Sequence, residues 1–138
     1  MSPRDTRTGS VLEAMILPAL QLGGYSYQTQ VLVGQRLGGR NHRVDAIAEK
    51  EGERILVSLK WQQVGGTAEQ KVPFEVLCLI SAIRTGNFKR AYVVLGGEGW
   101  TLRDFYTAGG LREYLIGSES VEAVTLESFI ALANQGRL

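Results

Sequence analysis

Apolar and polar positions along the chain follow two rhythms, and their succession predicts the fold. In residues 11–22, Val11, Leu12, Met15, Ile16, Ala19 and Leu20 recur at three- and four-residue spacing, one face of a helix. Thr8 or Ser10 offers its N-cap and Gly23-Gly24 its stop. The period then drops to two. Over residues 25–33, Tyr25, Tyr27, Thr29 and Val31 alternate with Ser26, Gln28, Gln30 and Leu32, a strand with one polar face. A Gly-rich, basic turn, GQRLGGRNHR, leads into a second strand, VDAIAE. The segment EKEGER makes a hairpin around Gly52 to a third strand, RILVSLKW. There Ile55, Val57, Leu59 and Trp61 share one side, and Leu56, Ser58, Lys60 and Gln62 the other.

After the loop QQVGGT, the stretch AEQKVPFEVLCLISAIRTG reads as a helix whose start is open, because Pro73 is at home only in a first turn. KRAYVVLGG is apolar on both sides, as in the centre of a sheet. Residues 101–115 read as a helix interrupted at Gly109-Gly110, VEAVT as a short strand and LESFIALANQG as a closing amphipathic helix. The order helix, three strands, helix, strand, helix, strand, helix predicts an α/β domain of two or three layers around a mixed sheet. No internal repeat divides the chain, so residues 1–138 are expected to form one domain.

Composition narrows the class. With 138 residues, 44% hydrophobic and 21% charged, the chain can bury one core and has little room for a second. The single cysteine, Cys78, lies in the apolar run VLCLISAI, which rules out an internal disulfide and points to a reducing compartment. The longest apolar stretches fall far short of the ~20 residues of a membrane span, and MSPRDTRTGS holds no apolar signal segment. A cytoplasmic protein with no membrane partner is the expectation. Net charge is only +1, but up to residue 90 there are twelve Lys/Arg against eight Asp/Glu, and beyond it three against six. The basic part is where a polyanion would bind.

Candidate chemistry centres on Asp45 and Lys60. Gly52 lies near the midpoint between them, so the hairpin sets Asp45 opposite residues 58–60, and a carboxylate and an ammonium converge at one end of the sheet. Val44 and Ala46 flank Asp45 with apolar side chains, a setting strands rarely give an acid. Taken alone, the two are also what an ordinary cross-strand ion pair looks like. The chain lacks a Gly-rich phosphate loop with Lys-Ser/Thr, zinc-ligand spacing and a G-x-S-x-G elbow.

A helix carrying Glu13, a strand carrying Asp45, a hairpin to a strand carrying Ser58-x-Lys60, and a following helix resemble the PD-(D/E)xK nuclease superfamily of restriction enzymes, Holliday-junction resolvases and repair nucleases. The resemblance covers about residues 10–96 and leaves 97–138 as a helix-strand-helix addition. It implies a restriction-endonuclease-like αβββαβ core with a mixed central sheet flanked by helices. It also implies Asp45 as the metal-binding aspartate, Lys60 as the motif lysine and Glu13 as the acid of the first helix. Ser58 stands where the family usually has Asp or Glu, and Val44 where it usually has proline. Gln62 shares the face of Lys60 and is placed to touch the scissile strand. Some members with Ser-x-Lys take the missing acid from the next helix, about fourteen residues after the lysine. Glu75 fits that spacing and Glu69 is its rival. A helix continuous from Thr67 would put Glu69 with Val76, Leu77, Ile80 and Ile83 and turn Glu75 nearly opposite; a break at Pro73 would remove that argument.

The implied activity is Mg²⁺-dependent hydrolysis of DNA phosphodiesters, with Mn²⁺ able to substitute. The enzyme would be of structure-specific type (junction resolvase or repair) or of restriction or homing type. In-line attack by water needs a metal to polarise the phosphoryl group and a cation beside the developing charge. The alternative is a non-catalytic nucleic-acid-binding or assembly protein that retains the fold, to which Ser58 lends weight. Arg36, Arg40 and Arg43, with His42, are expected to rim the site with phosphate contacts, and Gln63 and Lys71 to add further DNA contacts. Phe74, Cys78 and Leu79 give the second helix another apolar face. Cleavage of two strands calls for two-fold symmetry, so a homodimer or higher homo-oligomer is expected.

Overall fold

A computed structural model describes residues 7–138; residues 1–6, the start of the polar N-terminal stretch, lie outside the described residues. Helix α1 (Arg7–Val11) passes through a π-helical turn (Leu12–Ile16) into α2 (Leu17–Leu22). The turn has a local cause. Leu17 N–H reaches back to the Leu12 carbonyl, and Pro18, next in line, has no N–H to continue a regular ladder. At the end of α2, a Cβ added to Gly23 would lie 1.8 Å from the Ala133 carbonyl oxygen, so only glycine allows α2 its contact with the last helix.

Five strands form one sheet in chain order: β1 (Ser26–Gln35), β2 (Asn41–Lys50), β3 (Glu53–Trp61), β4 (Arg90–Gly96) and β5 (Val121–Thr125). β1, β2 and β3 form an antiparallel meander, and β4 and β5 add in parallel. Helix α3 (Ala68–Thr85) makes the crossover from β3 to β4. The next crossover uses α4 (Arg103–Thr107) and two 3₁₀ turns (Gly110–Glu113, Ser118–Ser120). Helix α5 (Leu126–Asn134), capped by the Thr125 hydroxyl on Ser128 N–H, closes the chain. The long helix expected over 101–115 is thus cut to α4 and short turns, with Gly109 at φ 80° just after α4.

The sheet separates two cores, as the alternation in β3 predicts. Ile55, Val57 and Leu59 face Leu12, Ile16, Leu20 and Phe129. Leu56 faces Val72, Val76, Leu79 and Ile80 of α3. The architecture is three-layered. β5 and α5 belong to this same sheet and core, so residues 97–138 complete the structure built by the preceding part. Among the described residues no helix is long and apolar enough to cross a membrane.

Helix α3 runs unbroken through Pro73, and the carbonyl this leaves free has a distant partner. A proline at 73 leaves the carbonyl of Glu69, four residues back, without its helical donor. The Tyr106 hydroxyl of α4 donates to that carbonyl at 2.6 Å. The second apolar face expected for this helix is largely internal: Cys78 and Leu79 are buried, and Phe74 is left exposed.

Candidate active site

The sheet forks at Asp45. The β2–β3 ladder runs from Lys50↔Glu53 to Ala46↔Val57 and stops. Past that point β2 pairs only with β1, and β3 continues beside β4 to Trp61↔Gly96. Asp45 itself parts the prongs, since its Oδ2 accepts the Leu59 N–H at 2.6 Å, a β3 amide bonded by a side chain in place of a strand. Gln30, across from Asp45 on β1, has φ 52°. This left-handed backbone is uncommon away from glycine and costs on the order of 1 kcal/mol or more. Arg43 holds it by donating to the Gln30 carbonyl at 3.1 Å. Side-chain phase slips at the same step: Ala46 and Ala48 face the first core, yet Val44 and Val31 pack against α3. Both strands thus change the face they turn to each core at the same step.

Asp45 is half-buried, and burial pushes its carboxyl above the usual range. The like charge of Glu75 adds to this; the Leu59 amide, the Lys60 charge and a hydrogen bond from Gln30 oppose it.

Glu75 fills the fork from α3. Its Oε1 lies 2.6 Å from His42 Nε2, and its Oε2 lies 3.3 Å from both Lys60 Nζ and Arg36 Nη1. Thus β2, β3 and the β1–β2 turn each send one group to this carboxylate. Burial alone would raise its pKa, but the His42 hydrogen bond and the charges of Lys60, His42 and Arg36 prevail and hold it at about 2. His42 is 1% exposed, and its Nδ1 is buried without a partner among the described residues.

Five of the residues singled out in the sequence, Asp45, Lys60, Glu75, Arg36 and His42, therefore meet at the fork. Ser58 is buried in β3 between Leu56 and Lys60, paired with Val93. Glu69 lies elsewhere. Its carboxylate accepts from Thr101 N–H, Thr101 Oγ1 and Leu102 N–H at the start of α4, bonds that hold its pKa low. The expectation that a continuous α3 would turn Glu75 away from the sheet is corrected here. At about 100° per residue, Glu69 and Glu75 are about 120° apart. They flank opposite sides of the buried stripe through Val72, Val76 and Leu79, and both are buried. Gln62 does not join the group either: its Nε2 donates to the Gly99 carbonyl at 2.8 Å, and its buried Oε1 has no partner among the described residues. Glu13 is exposed in the π turn, on the helix that packs the opposite core, and among the described residues no hydrogen bond or ion pair joins it to the fork. Arg40, Arg43, Gln63 and Lys71 are exposed.

Sequence reasoning missed the contribution of the Leu59 amide and the backbone of Gln30. It read His42 as a phosphate contact rather than the partner of Glu75. A signal was present for His42, which stands two residues before Val44 and so on the same inward side of the arm.

Among the described residues no three of His, Cys, Asp and Glu cluster so as to hold a metal ion. The carboxylates that a cation at the fork would meet are Asp45 and Glu75, the latter already bonded to His42, Lys60 and Arg36. That set fits a hard divalent cation such as Mg²⁺, which takes one or two carboxylates and fills its shell with water and substrate phosphate. The charge of Glu75 helps to raise the Asp45 pKa, an effect that a divalent ion bound there would reverse.

The model of a PD-(D/E)XK nuclease superfamily domain matches residues 4–137. No curated protein matches the chain. Solved structures similar to it include the crystal structure of a protein of unknown function, AF1548, with TM-score 0.50 and 14% identity over 80% of this chain and 54% of that one. They also include the small subunit of the heterodimeric restriction endonuclease R.BspD6I, with TM-score 0.42 and 19% identity over 83% of this chain and 61% of that one. The chain thus spans less than two thirds of either. Its likeness to AF1548 is one of fold. With a family match over nearly its whole length and a sheet that forks at an aspartate beside a lysine, the chain belongs to the PD-(D/E)XK nuclease superfamily.

Proposed function

We propose that the fork is the active site of a divalent-metal-dependent endodeoxyribonuclease, with Mg²⁺ as the working ion and Mn²⁺ as a substitute. The observation that carries this reading is the meeting of Asp45, Glu75 and Lys60 at one parted end of the sheet, with Lys60 Nζ 3.3 Å from Glu75. Nucleases of this superfamily generally use divalent metals. When bound, the metal polarises the phosphoryl group and lowers the pKa of the attacking water. Asp45, fixed by the Leu59 amide, and Glu75 are the residues that would hold it.

The chain's own groups do the rest. The Lys60 side chain is 26% exposed and that of Arg36 30%, so both reach solvent while Glu75 keeps them aimed. Lys60 donates to the attacking water or the scissile phosphate, and Arg36 faces the charge that develops on the phosphoryl oxygens. Ser58, small and buried beneath Lys60, leaves the second carboxylate of the site to come from α3.

Nicking of supercoiled plasmid and of branched DNA, with Mg²⁺ or Mn²⁺ present, tests the reading. Wild type is expected to cleave, with activity lost in Asp45→Ala and Lys60→Ala. The substrate preferred separates a structure-specific enzyme from one of restriction type. One observation favours a second reading, a binding protein that retains the fold without catalysis: Glu75 is already bonded by three groups. Wild type that binds DNA and cleaves none of these substrates with either metal would establish that reading instead. Cutting both strands by a homodimer would show as a two-chain mass in sedimentation.

A further inference from the structure

Beyond the fork, β1 and β2 continue as a two-stranded arm. Their ladder extends from Val31↔Val44 to Gln35↔Asn41, where β2 has already left β3. The inner side is tied down: Val44 belongs to the core that holds Val72 and Val76, Val31 and Val33 pack against that core, and His42 and Arg36 bond Glu75. The outer side faces solvent, with Leu32 and, at the tip, Leu37 each 49% exposed, Arg40 exposed, and Arg43 exposed although one of its guanidinium nitrogens bonds the Gln30 carbonyl. No Asp or Glu occurs between Glu13 and Asp45, so nothing on the arm offsets its arginines. The tip is narrow and closed. Arg36 N–H donates to the Arg40 carbonyl at 2.6 Å and Gly39 N–H to the Arg36 carbonyl at 2.9 Å, with Gly38 at φ 99° and Gly39 at φ 97°, where a side chain would be strained.

We propose that this arm enters the major groove of duplex DNA, with Arg40 and Arg43 on the flanking phosphates and Leu37 against base edges such as the thymine methyl. B-DNA's major groove, about 12 Å wide, admits a two-stranded ribbon, whereas that of an RNA duplex is too deep and narrow. The inference rests on the nuclease reading of the fork. Arg36 belongs to both, so an arm seated in the groove brings the adjacent phosphate to Lys60.

The test uses the full chain carrying Asp45→Asn, which keeps an acceptor for Leu59 N–H, and measures equilibrium binding without cleavage. Filling the major groove with glucosylated 5-hydroxymethylcytosine is expected to weaken binding about tenfold or more, and distamycin in the minor groove to leave it unchanged. Adding Arg40→Ala is expected to reduce the slope of log affinity against log salt by about 0.9, one phosphate contact, and adding Leu37→Asp to weaken binding about tenfold. Both positions are exposed, and circular dichroism checks that each variant is folded. The arm proposal is overturned if distamycin but not glucosylation competes, if an RNA duplex binds equally well, if neither substitution changes binding, or if no duplex is bound. Cleavage by wild type with a minor-groove footprint would overturn the arm alone. Major-groove binding with no cleavage by wild type would overturn the nuclease reading alone and leave the arm standing.

Discussion

Replacing Glu75 with glutamine keeps the side chain's shape and removes the charge that Arg36, His42 and Lys60 share. The carboxyl is held at about 2 against an ordinary 4.5. At about 1.4 kcal/mol for each pH unit, the fold favours the charged form by about 3 kcal/mol. A depressed carboxylate pKa stabilises the fold fully above 4.5, and the contribution is lost as pH falls through about 2. Glu75→Gln is therefore expected to be about 3 kcal/mol less stable than wild type at pH 7, with the gap closing toward pH 2. This is the size expected when one partner of a buried charge group is removed, about 3–5 kcal/mol. It leaves a domain of ordinary stability, about 5–15 kcal/mol, still folded. Urea unfolding at pH 7, 4.5 and 2.5 measures the gap from midpoints at a common slope. A gap under about 1 kcal/mol at pH 7, or one that persists undiminished into acid, would refute the ionic account of the fork.

Asp45→Asn should move in the opposite direction. Burial and Glu75 raise the Asp45 pKa, so its charge costs stability as pH rises through the folded pKa, and the amide relieves that cost. A higher melting temperature at pH 7 with cleavage abolished is expected; a lower melting temperature contradicts the reading. Glu69→Ala removes the acceptor at the start of α4 and should lower the melting temperature while plasmid cleavage persists; abolished cleavage in a folded variant would return Glu69 to the site. Gly23→Ala pushes a methyl onto the Ala133 carbonyl, 1.8 Å from where its Cβ would sit. Denaturant unfolding should show a loss of about 1–3 kcal/mol, and an unchanged midpoint would show that the α2–α5 contact can open at little cost.

Much of this was legible because period-two and helical patterns report which side of an element is buried. In β3, Ile55, Val57 and Leu59 against Leu56, Ser58 and Lys60 assign both cores, and Gly52 centres the hairpin that brings Asp45 to β3. What escaped depends on partners remote in sequence. Pro73 argues for a break in α3, yet the helix runs on, and the Glu69 carbonyl that the proline leaves without a helical donor is met by the Tyr106 hydroxyl from another helix. Glu69 and Glu75 are equivalent acids on one amphipathic helix. They part because Thr101 and Leu102 wait for one, and His42, Arg36 and Lys60 for the other. The phase slip at Gln30 and Asp45 leaves no local mark, since neither position is glycine and the alternation of YSYQTQVLV runs on unbroken across it.

The central claim, that Asp45 and Glu75 together make the fork a divalent-metal site, is tested most directly by Mn²⁺ titration of the full chain followed by electron paramagnetic resonance. Wild type and Glu69→Gln are expected to bind one ion per fork with similar affinity, and Asp45→Asn and Glu75→Gln to lose it. Unchanged Mn²⁺ binding in Asp45→Asn, or its loss in Glu69→Gln alone, would contradict the claim.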